Sequence, residues 1–175
     1  MLYDNPTITE YLLSNKGKLI HMFGEPDAGR TRVLFSLIDK LTQNDGLCGY
    51  CISRDFQLEV FQQMVRHQEQ CMIAQPENKK QLTEILKLDL DYFFIDNFLE
   101  YIIHKSRKQI QQTFAVLSAR AYRDQKNIIL VNDMRYHPDK GLHPAYQEWF
   151  YHFCAQHIKV EKDSDFNIHY EFVKL

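Results

Sequence analysis

A glycine-spaced segment near the start of the chain has the residue types needed to bind a phosphate group. It reads G-x-x-x-x-G and then a basic and a hydroxyl residue, over Gly24, Glu25, Pro26, Asp27, Ala28, Gly29, Arg30 and Thr31. Glycines let backbone N–H groups wrap a phosphate at a helix N-terminus. The basic side chain reaches the outer phosphates, and the threonine hydroxyl is a ligand for Mg²⁺. All eight residues are therefore predicted to bind a nucleotide; an ordinary Gly-Pro turn with an exposed Arg30 is the alternative.

A carboxylate later in the chain could complete a metal site. Residues 92–95 are continuously apolar, as expected for a strand buried on both faces, and Asp96 follows them directly. In a P-loop fold, an acidic residue at the end of such a strand holds the metal ion or its water. Apolar runs that end in aspartate occur in many α/β proteins, so the assignment depends on the glycine-spaced loop. With that loop, Thr31 and Asp96 are the predicted Mg²⁺ ligands.

Hydrophobic periodicity predicts the elements that position these residues. A strand over 18–23 leads into the loop, and the loop leads into a helix with one apolar face, at Val33, Leu34, Leu37, Ile38 and Leu41. A second strand is predicted over 49–53. A longer helix is predicted over 58–72, ending before Pro76, and a shorter one over 81–87.

The second half of the chain continues this alternation and then changes character. Residues 110–121 repeat apolar side chains at helical spacing, and 128–131 form another apolar run. Residues 158–160 and 166–172 alternate apolar with mainly polar side chains on either side of a turn at 163–165, which predicts a β-hairpin with one solvated face. The whole chain is therefore predicted to be one α/β domain with a mainly parallel sheet, helices on both faces and a C-terminal antiparallel hairpin.

Taken together, these motifs resemble the core of the RecA/RadA recombinases and their paralogs, including the KaiC-like ATPases. Residues 109–123 look like that family's helix before its fourth core strand, and Asn127 to Arg135 is similar to its strand ending in Asn-Gln and then Arg. Trp149 through Val160 and the final hairpin look like the end of the same core. The resemblance covers most of residues 15–175 and implies a RecA-like P-loop fold that binds ATP and Mg²⁺.

Three positions depart from the family's pattern. Arg30 replaces the loop lysine, Asp55 stands where the resemblance puts the catalytic glutamate, and Asp133 replaces a glutamine that senses the nucleotide. Arginine can still grip phosphate, but its bulk and fixed fork change how its charge meets the transferred group. The shorter side chain of Asp55 misplaces a catalytic carboxylate, unless this residue is only a surface aspartate at a helix start. Asp55 and Asp133 are thus predicted as degenerate catalytic positions, with weak or no hydrolysis.

The resemblance also implies contact with single-stranded DNA and with a protein partner. It places two DNA-binding loops at 97–108 and 136–146, and the first contains Lys105, Arg107 and Lys108, which could meet backbone phosphates. A solvated helix start is the alternative for these three residues. A RecA-type core places its nucleotide at a subunit interface, and only about 15 residues precede the first predicted strand here. We therefore expect a homo- or hetero-oligomer, with a recombinase among the candidate partners.

Composition and charge argue against a polybasic protein that binds DNA through its overall charge, and against a membrane-spanning or secreted protein. The 175 residues include 21 Lys plus Arg and 23 Asp plus Glu, for a net charge of −2. DNA binding must then come from a local patch and not from the overall field. No apolar run approaches the ~20 residues of a membrane span, and residues 1–6 lack the pattern of a signal peptide. These features predict a soluble intracellular protein without a membrane partner.

The cysteines leave one further motif to interpret. Cys48 and Cys51 have the C-x-x-C spacing of a redox pair or of half a zinc site, whereas Cys71 and Cys154 are isolated. Because the motif runs into a predicted strand, we interpret the pair as small buried core residues.

The resemblance thus implies a recombinase paralog that binds nucleotide with weak or no hydrolysis and, with a partner, assists single-stranded DNA transactions in recombination or repair. The alternatives are a non-catalytic interaction subunit that keeps the RecA-like fold without nucleotide, and a small NTPase that acts without DNA.

Overall fold

The computed structural model describes residues 1–3, 5–52, 57–139 and 141–174. Within these ranges, eight strands form one mixed, mostly parallel sheet: β1 (Leu19–Gly24), β2 (Cys48–Cys51), β3 (Cys71–Ala74), β4 (Tyr92–Ile95), β5 (Asn127–His137), β6 (Gly141–Pro144), β7 (Gln156–Lys162) and β8 (Ile168–Val173). The α-helices in the described ranges are α1 (Pro6–Ser14), α2 (Arg30–Thr42), α3 (Leu58–Met64), α4 (Lys79–Ile85), α5 (Arg107–Asp124) and α6 (Gln147–Phe153). Two short 3₁₀ turns cover Gln68–Gln70 and Phe98–Tyr101.

The strand order is β3-β2-β4-β5-β1-β7-β8, and β6 pairs with the end of β5 outside this path. Neighbouring strands are parallel from β3 to β7, whereas the β7–β8 and β5–β6 pairs are antiparallel. The carboxyl ends of six strands therefore lie at one edge of the sheet. The prediction of an α/β fold with a mainly parallel sheet and a C-terminal antiparallel hairpin is confirmed.

Two apolar cores lie on the two faces of the sheet because successive side chains of a strand point in opposite directions. Ile129 and Val131 of β5 pack into the core that contains the apolar sides of α1 and α2. Ile128 and Leu130 pack into the other core, with Phe114 of α5 and Phe150 of α6. Since both faces are covered, the central strands are continuously apolar, which is why the sequence revealed them.

The predicted long helix over 58–72 is wrong. Helix α3 ends at Met64, and Val65 already has an extended backbone. The Gln68 side chain donates hydrogen bonds to the carbonyl oxygens of Gln62 (3.2 Å) and Val65 (3.0 Å), so it caps carbonyls at the end of the helix. The following residues form β3, an edge strand parallel to β2. Apolar spacing alone could not separate one long helix from a short helix followed by a short strand.

Two other local differences concern the ends of elements. The second strand, predicted over 49–53, ends at Cys51 within the described residues. Helix α1, which begins with Pro6, and strand β6 were not predicted.

No helix in the described part of the chain is long and apolar enough to cross a membrane.

The C-x-x-C pair lies inside β2, where both cysteines are buried. Burial raises the pKa of both thiols, that of Cys51 to about 12. Since a reactive cysteine needs a lowered pKa, Cys48 and Cys51 serve as small core residues, as interpreted from the sequence.

A buried histidine occupies the centre of the sheet. His21 of β1 is fully buried and stacks on Phe150 with 3.7 Å between ring centroids. The His157 ring of β7 meets it edge-on at 5.7 Å, and neither ring nitrogen of His21 has a hydrogen-bond partner among the described residues. Burial, and secondarily the His157 charge, hold the pKa of His21 well below its usual value. His21 is therefore a neutral core residue at physiological pH.

Candidate functional site

The glycine-spaced loop connects the end of β1 to the start of α2. Gly29 lies at the N-cap with φ 89°, a left-handed conformation that favours glycine. At Gly24, a Cβ atom would lie 2.5 Å from the carbonyl oxygen of Val160 in β7. Backbone conformation at one position and close packing at the other thus require glycine. The predicted strand–loop–helix arrangement is confirmed.

The N-terminus of α2 provides the polar groups of this loop. The first N–H groups of a helix lack intrahelical partners, and the helix dipole makes this end positive. Arg30 and Thr31 lie in the first turn and are half-buried. The carboxylates of Glu25 and Asp27 are exposed on the same loop and oppose an anion there. The N–H groups of the helix start therefore favour an anion at this loop, whereas the two carboxylates oppose one.

Arg30 forms an ion pair with Asp133 of β5. The pairing register places Asp133 directly beside Gly24, where the loop begins. The two side chains are 19% and 40% exposed, respectively, so solvent screens the pair only in part. The basic residue at the lysine position is therefore already engaged by a carboxylate. The sequence selected both residues but gave no signal that they pair.

Asp96 follows β4, two strands away from β1, and is half-buried. Its carboxylate accepts hydrogen bonds from the Tyr50 hydroxyl (3.1 Å) and from the backbone N–H of Asn97 (2.9 Å). Burial raises the pKa of Asp96, and the charge of Asp133 raises it further, whereas Tyr50 and Arg30 act in the opposite direction. The predicted position of Asp96 at the end of a central parallel strand is confirmed.

Arg30, Asp96 and Asp133 thus interact electrostatically at the edge of the sheet where β1 and β4 end, with Asp133 on β5 between those two strands. Within the described ranges, no group of three or more His, Cys, Asp and Glu side chains could hold a metal by itself. Mg²⁺, however, usually takes one or two carboxylates, several waters and the phosphate oxygens of its nucleotide. Asp96 and the Thr31 hydroxyl fit that limited requirement, and their joint role as ligands stays a prediction.

The predicted catalytic residue Asp55 lies outside the described residues. The first predicted DNA-binding loop, 97–108, connects β4 to α5 and includes the first two residues of that helix, and its role in DNA binding stays a prediction. It contains a 3₁₀ turn with buried Phe98 and Leu99, and it ends in the capped start of α5, where Ser106 is the N-cap. These apolar side chains pack into the core and so order the segment.

The basic cluster, which consists of Lys105, Arg107 and Lys108, lies at the start of α5. Lys105, Arg107 and Lys108 are exposed, and Arg107 lies 5.6 Å from the ring centroid of Trp149. This position is compatible with both interpretations from the sequence, contact with DNA phosphates and a solvated helix start, because a solvated helix start can still contact phosphates.

The second predicted DNA-binding loop, 136–146, is largely a β-hairpin. The end of β5 pairs with β6 in an antiparallel register that sets Tyr136 opposite Leu142. The Tyr136 side chain is 75% exposed, and helix α6 begins soon after β6. His137 and His143 lie in the two strands, and Lys140 is outside the described residues. The exposed surface here is a regular hairpin and not an irregular loop.

A cleft of about 610 Å³ beside the loop contains residues that the sequence analysis missed. Arg30, Thr31 and Arg32 line one side, and Lys162 and Phe166 of the C-terminal hairpin line another. The Lys162 ammonium lies 3.4 Å from the carbonyl oxygen of Asp27. The sequence did contain a sign of the exposed aromatic ring, because apolar Phe166 directly follows the polar Asp-Ser-Asp turn at 163–165. The alternation of apolar and polar residues, however, led only to a strand assignment for Phe166.

No protein-family model matches this chain, and no curated protein matches its sequence. Its function must therefore be argued from the geometry of the loop, the acidic residues and the cleft.

Proposed function

We propose that the protein is a RecA-like recombinase paralog that binds ATP at the β1–α2 loop and hydrolyses it slowly or not at all. One observation carries the proposal: the loop and Asp96 follow the carboxyl ends of β1 and β4, and Asp133 lies on β5 between these two strands, beside Gly24 and ion-paired with Arg30. In open α/β sheets, ligands bind in crevices at this edge. Chemistry of the P-loop type needs backbone N–H groups, a cation, a hydroxyl and a carboxylate, and all four are present there.

Each residue of this site has a distinct role in the proposal. The first turn of α2 donates N–H groups to a phosphate, and Arg30 turns from Asp133 towards the outer phosphates. Thr31 and Asp96 would hold Mg²⁺, which neutralises phosphate charge when it is bound. Tyr50 orients the Asp96 carboxylate through its 3.1 Å hydrogen bond.

The electrostatics of the free protein support weak turnover. Arg30 must leave Asp133 before it can contact phosphate, and the freed carboxylate then repels the triphosphate. Glu25 and Asp27 add two exposed negative charges on the loop. The shape of the site is therefore suited to a triphosphate, whereas its charges are not optimised for the transition state of phosphoryl transfer.

The DNA role in the proposal depends on the basic cluster before and at the start of α5. Lys105, Arg107 and Lys108 are exposed at the end of the segment that leaves the carboxyl end of β4. Three phosphate contacts on a single strand give a log–log salt slope of about −2, at −0.7 for each contact. Such binding is modest, so we propose that a protein partner completes the DNA-binding surface.

The nucleotide part is tested by calorimetric titration of the full chain with ATP, with and without Mg²⁺. We expect that Mg²⁺ strengthens ATP binding and that the Thr31→Val variant loses this effect of Mg²⁺. We also expect a turnover number for ATP hydrolysis below about 1 s⁻¹. The matched control is Thr83→Val, which removes a threonine hydroxyl from α4 instead. If wild type binds ATP neither with nor without Mg²⁺, even at millimolar ATP, the proposal is refuted.

The DNA part is tested by fluorescence anisotropy with a labelled single strand at low salt. The variant Lys105→Ala/Arg107→Ala/Lys108→Ala should lose most of the binding. A control that replaces three exposed lysines of the α4 region, at positions 79, 80 and 87, removes an equal charge and should retain it. Equal loss in both variants would show that only net charge matters.

The second candidate function is an interaction subunit that keeps the fold without nucleotide. The Arg30–Asp133 ion pair favours it, because the site satisfies its own cation in the absence of any ligand. Under this alternative, ATP fails to bind, while substitution of Arg30 and Asp133 lowers thermal stability and nothing else.

A further inference from the structure

Phe166, in the turn between β7 and β8, combines two unfavourable features. Its side chain is 72% exposed, although it is a large apolar residue. Its φ is 61°, in the left-handed region that a bulky side chain rarely adopts. Neither feature stabilises the isolated fold. Strained backbone of this kind persists where the surrounding structure over-determines it, and it is concentrated at ligand sites.

The surrounding turn holds Phe166 in place. The Asp163 carboxylate accepts hydrogen bonds from the backbone N–H groups of Asp165 (2.9 Å) and Asn167 (2.8 Å), and one of its oxygens lies 3.0 Å from a ring nitrogen of His169. These contacts, with His169 as the largest cause, lower the pKa of Asp163 to about 2. The carboxylate therefore stays charged at all physiological pH values, and the aromatic ring is presented on an ordered turn.

The ring of Phe166 faces the same cleft as the loop and the start of α2. It shares the lining with Arg30 and Arg32, and the Lys162 ammonium lies 5.3 Å from its ring centroid. The hairpin packs closely on the loop here, since a Cβ atom on Gly29 would overlap Ile168. Phe166 is only two residues before Ile168, a chain distance of at most about 7 Å.

The cleft has the size and the charge for a nucleotide. Its volume of about 610 Å³ falls within the ~300–1,000 Å³ of typical ligand sites. Three cationic side chains and one carboxylate line it, namely Arg30, Arg32, Lys162 and Asp27. Phosphate and sugar oxygens match the cations, and the flat base of a nucleotide matches the exposed ring, because bases stack on aromatic side chains.

We propose that Phe166 is the platform on which the base of a bound nucleoside triphosphate stacks while its phosphates lie against the β1–α2 loop. This inference rests on the proposed nucleotide function and adds a binding residue from the opposite end of the chain. Lys162 assists by placing its charge between the ring and the loop carbonyl of Asp27.

The test compares ATP with inorganic tripolyphosphate, which has no base, by calorimetric titration of the full chain. Wild type should bind ATP more tightly than tripolyphosphate. Phe166→Ala should weaken ATP binding by about 5- to 150-fold, the range that corresponds to ~1–3 kcal/mol of base stacking, and should leave tripolyphosphate binding unchanged. Phe166→Trp should restore tight ATP binding.

The variants are chosen so that folding does not confuse the result. Alanine keeps the Cβ atom and removes only an exposed ring, so Phe166→Ala retains the fold in a thermal melt. Tyr122→Ala is the matched control, because that side chain in α5 is also 72% exposed but does not line the cleft. Unchanged ATP binding by Phe166→Ala overturns the platform while the nucleotide site stands. Absence of binding by both ATP and tripolyphosphate to wild type overturns the nucleotide function together with the platform.

Discussion

The Arg30–Asp133 ion pair makes a quantitative prediction about affinity. Any triphosphate that recruits Arg30 must first separate it from Asp133, so the pair competes with the ligand. The side chains are 19% and 40% exposed, which places the pair between fully exposed ion pairs, worth ~0.2–1 kcal/mol, and well-formed hydrogen bonds to charged groups, worth ~1.5–3 kcal/mol. An intermediate value of about 1–2 kcal/mol corresponds to a factor of about 5–30 in affinity.

We therefore expect Asp133→Asn to tighten ATP binding by about 5- to 30-fold. Asparagine keeps the shape of the side chain, replaces the ion pair with at most a hydrogen bond to a neutral acceptor, and removes a negative charge next to the phosphates. The assay is calorimetric titration at fixed ionic strength. Asp124→Asn is the charge-matched control, since Asp124 also forms ion pairs but lies at the far end of α5.

A double-mutant cycle separates competition for Arg30 from a simple change of net charge. If the pair is the cause, Asp133→Asn has no more than a small effect in an Arg30→Ala background. An equal gain in both backgrounds would assign the effect to charge alone. Unchanged ATP affinity in the Asp133→Asn single variant would refute the competition altogether.

Three further predictions concern stability and electrostatics. Because the pKa of buried His21 is lowered in the folded state, the unfolded chain binds more protons below its ordinary pKa of ~6.5. Chemical denaturation should show stability falling as pH decreases from about 6.5, and His21→Phe should flatten that slope. Gly24→Ala should destabilise the fold by roughly 1–3 kcal/mol, as overpacking does, since the added Cβ meets a β7 carbonyl at 2.5 Å; unfolding by urea measures this loss. Tyr50→Phe removes a hydrogen bond that lowers the pKa of Asp96, so the carboxyl resonance of Asp96 should titrate at a higher pH than in wild type, and an unchanged midpoint would contradict the assigned contact.

The elements that the sequence predicted are those whose local pattern and final environment agree. β1, β4 and the centre of β5 are buried on both faces, so their continuous apolar runs identify them without knowledge of their neighbours. Helix α2 follows a glycine that needs a left-handed backbone, and its apolar face has helical spacing. Local residue chemistry was therefore enough to position the loop and Asp96.

The sequence by itself thus determined the strand–loop–helix unit and the acidic end of β4, because these depend on periodicity and on the backbone preferences of neighbouring residues. Only the tertiary structure decided which charges meet. Arg30 and Asp133 are brought together by the register of two strands far apart in the chain, and Phe166 reaches the cleft because the last hairpin packs on the first loop. The early end of α3 has a similar cause: Asp39 of α2 binds the backbone N–H and the guanidinium group of Arg66 just beyond that helix. Contacts between distant segments follow from how the sheet assembles, and a local pattern of residue types carries no record of them.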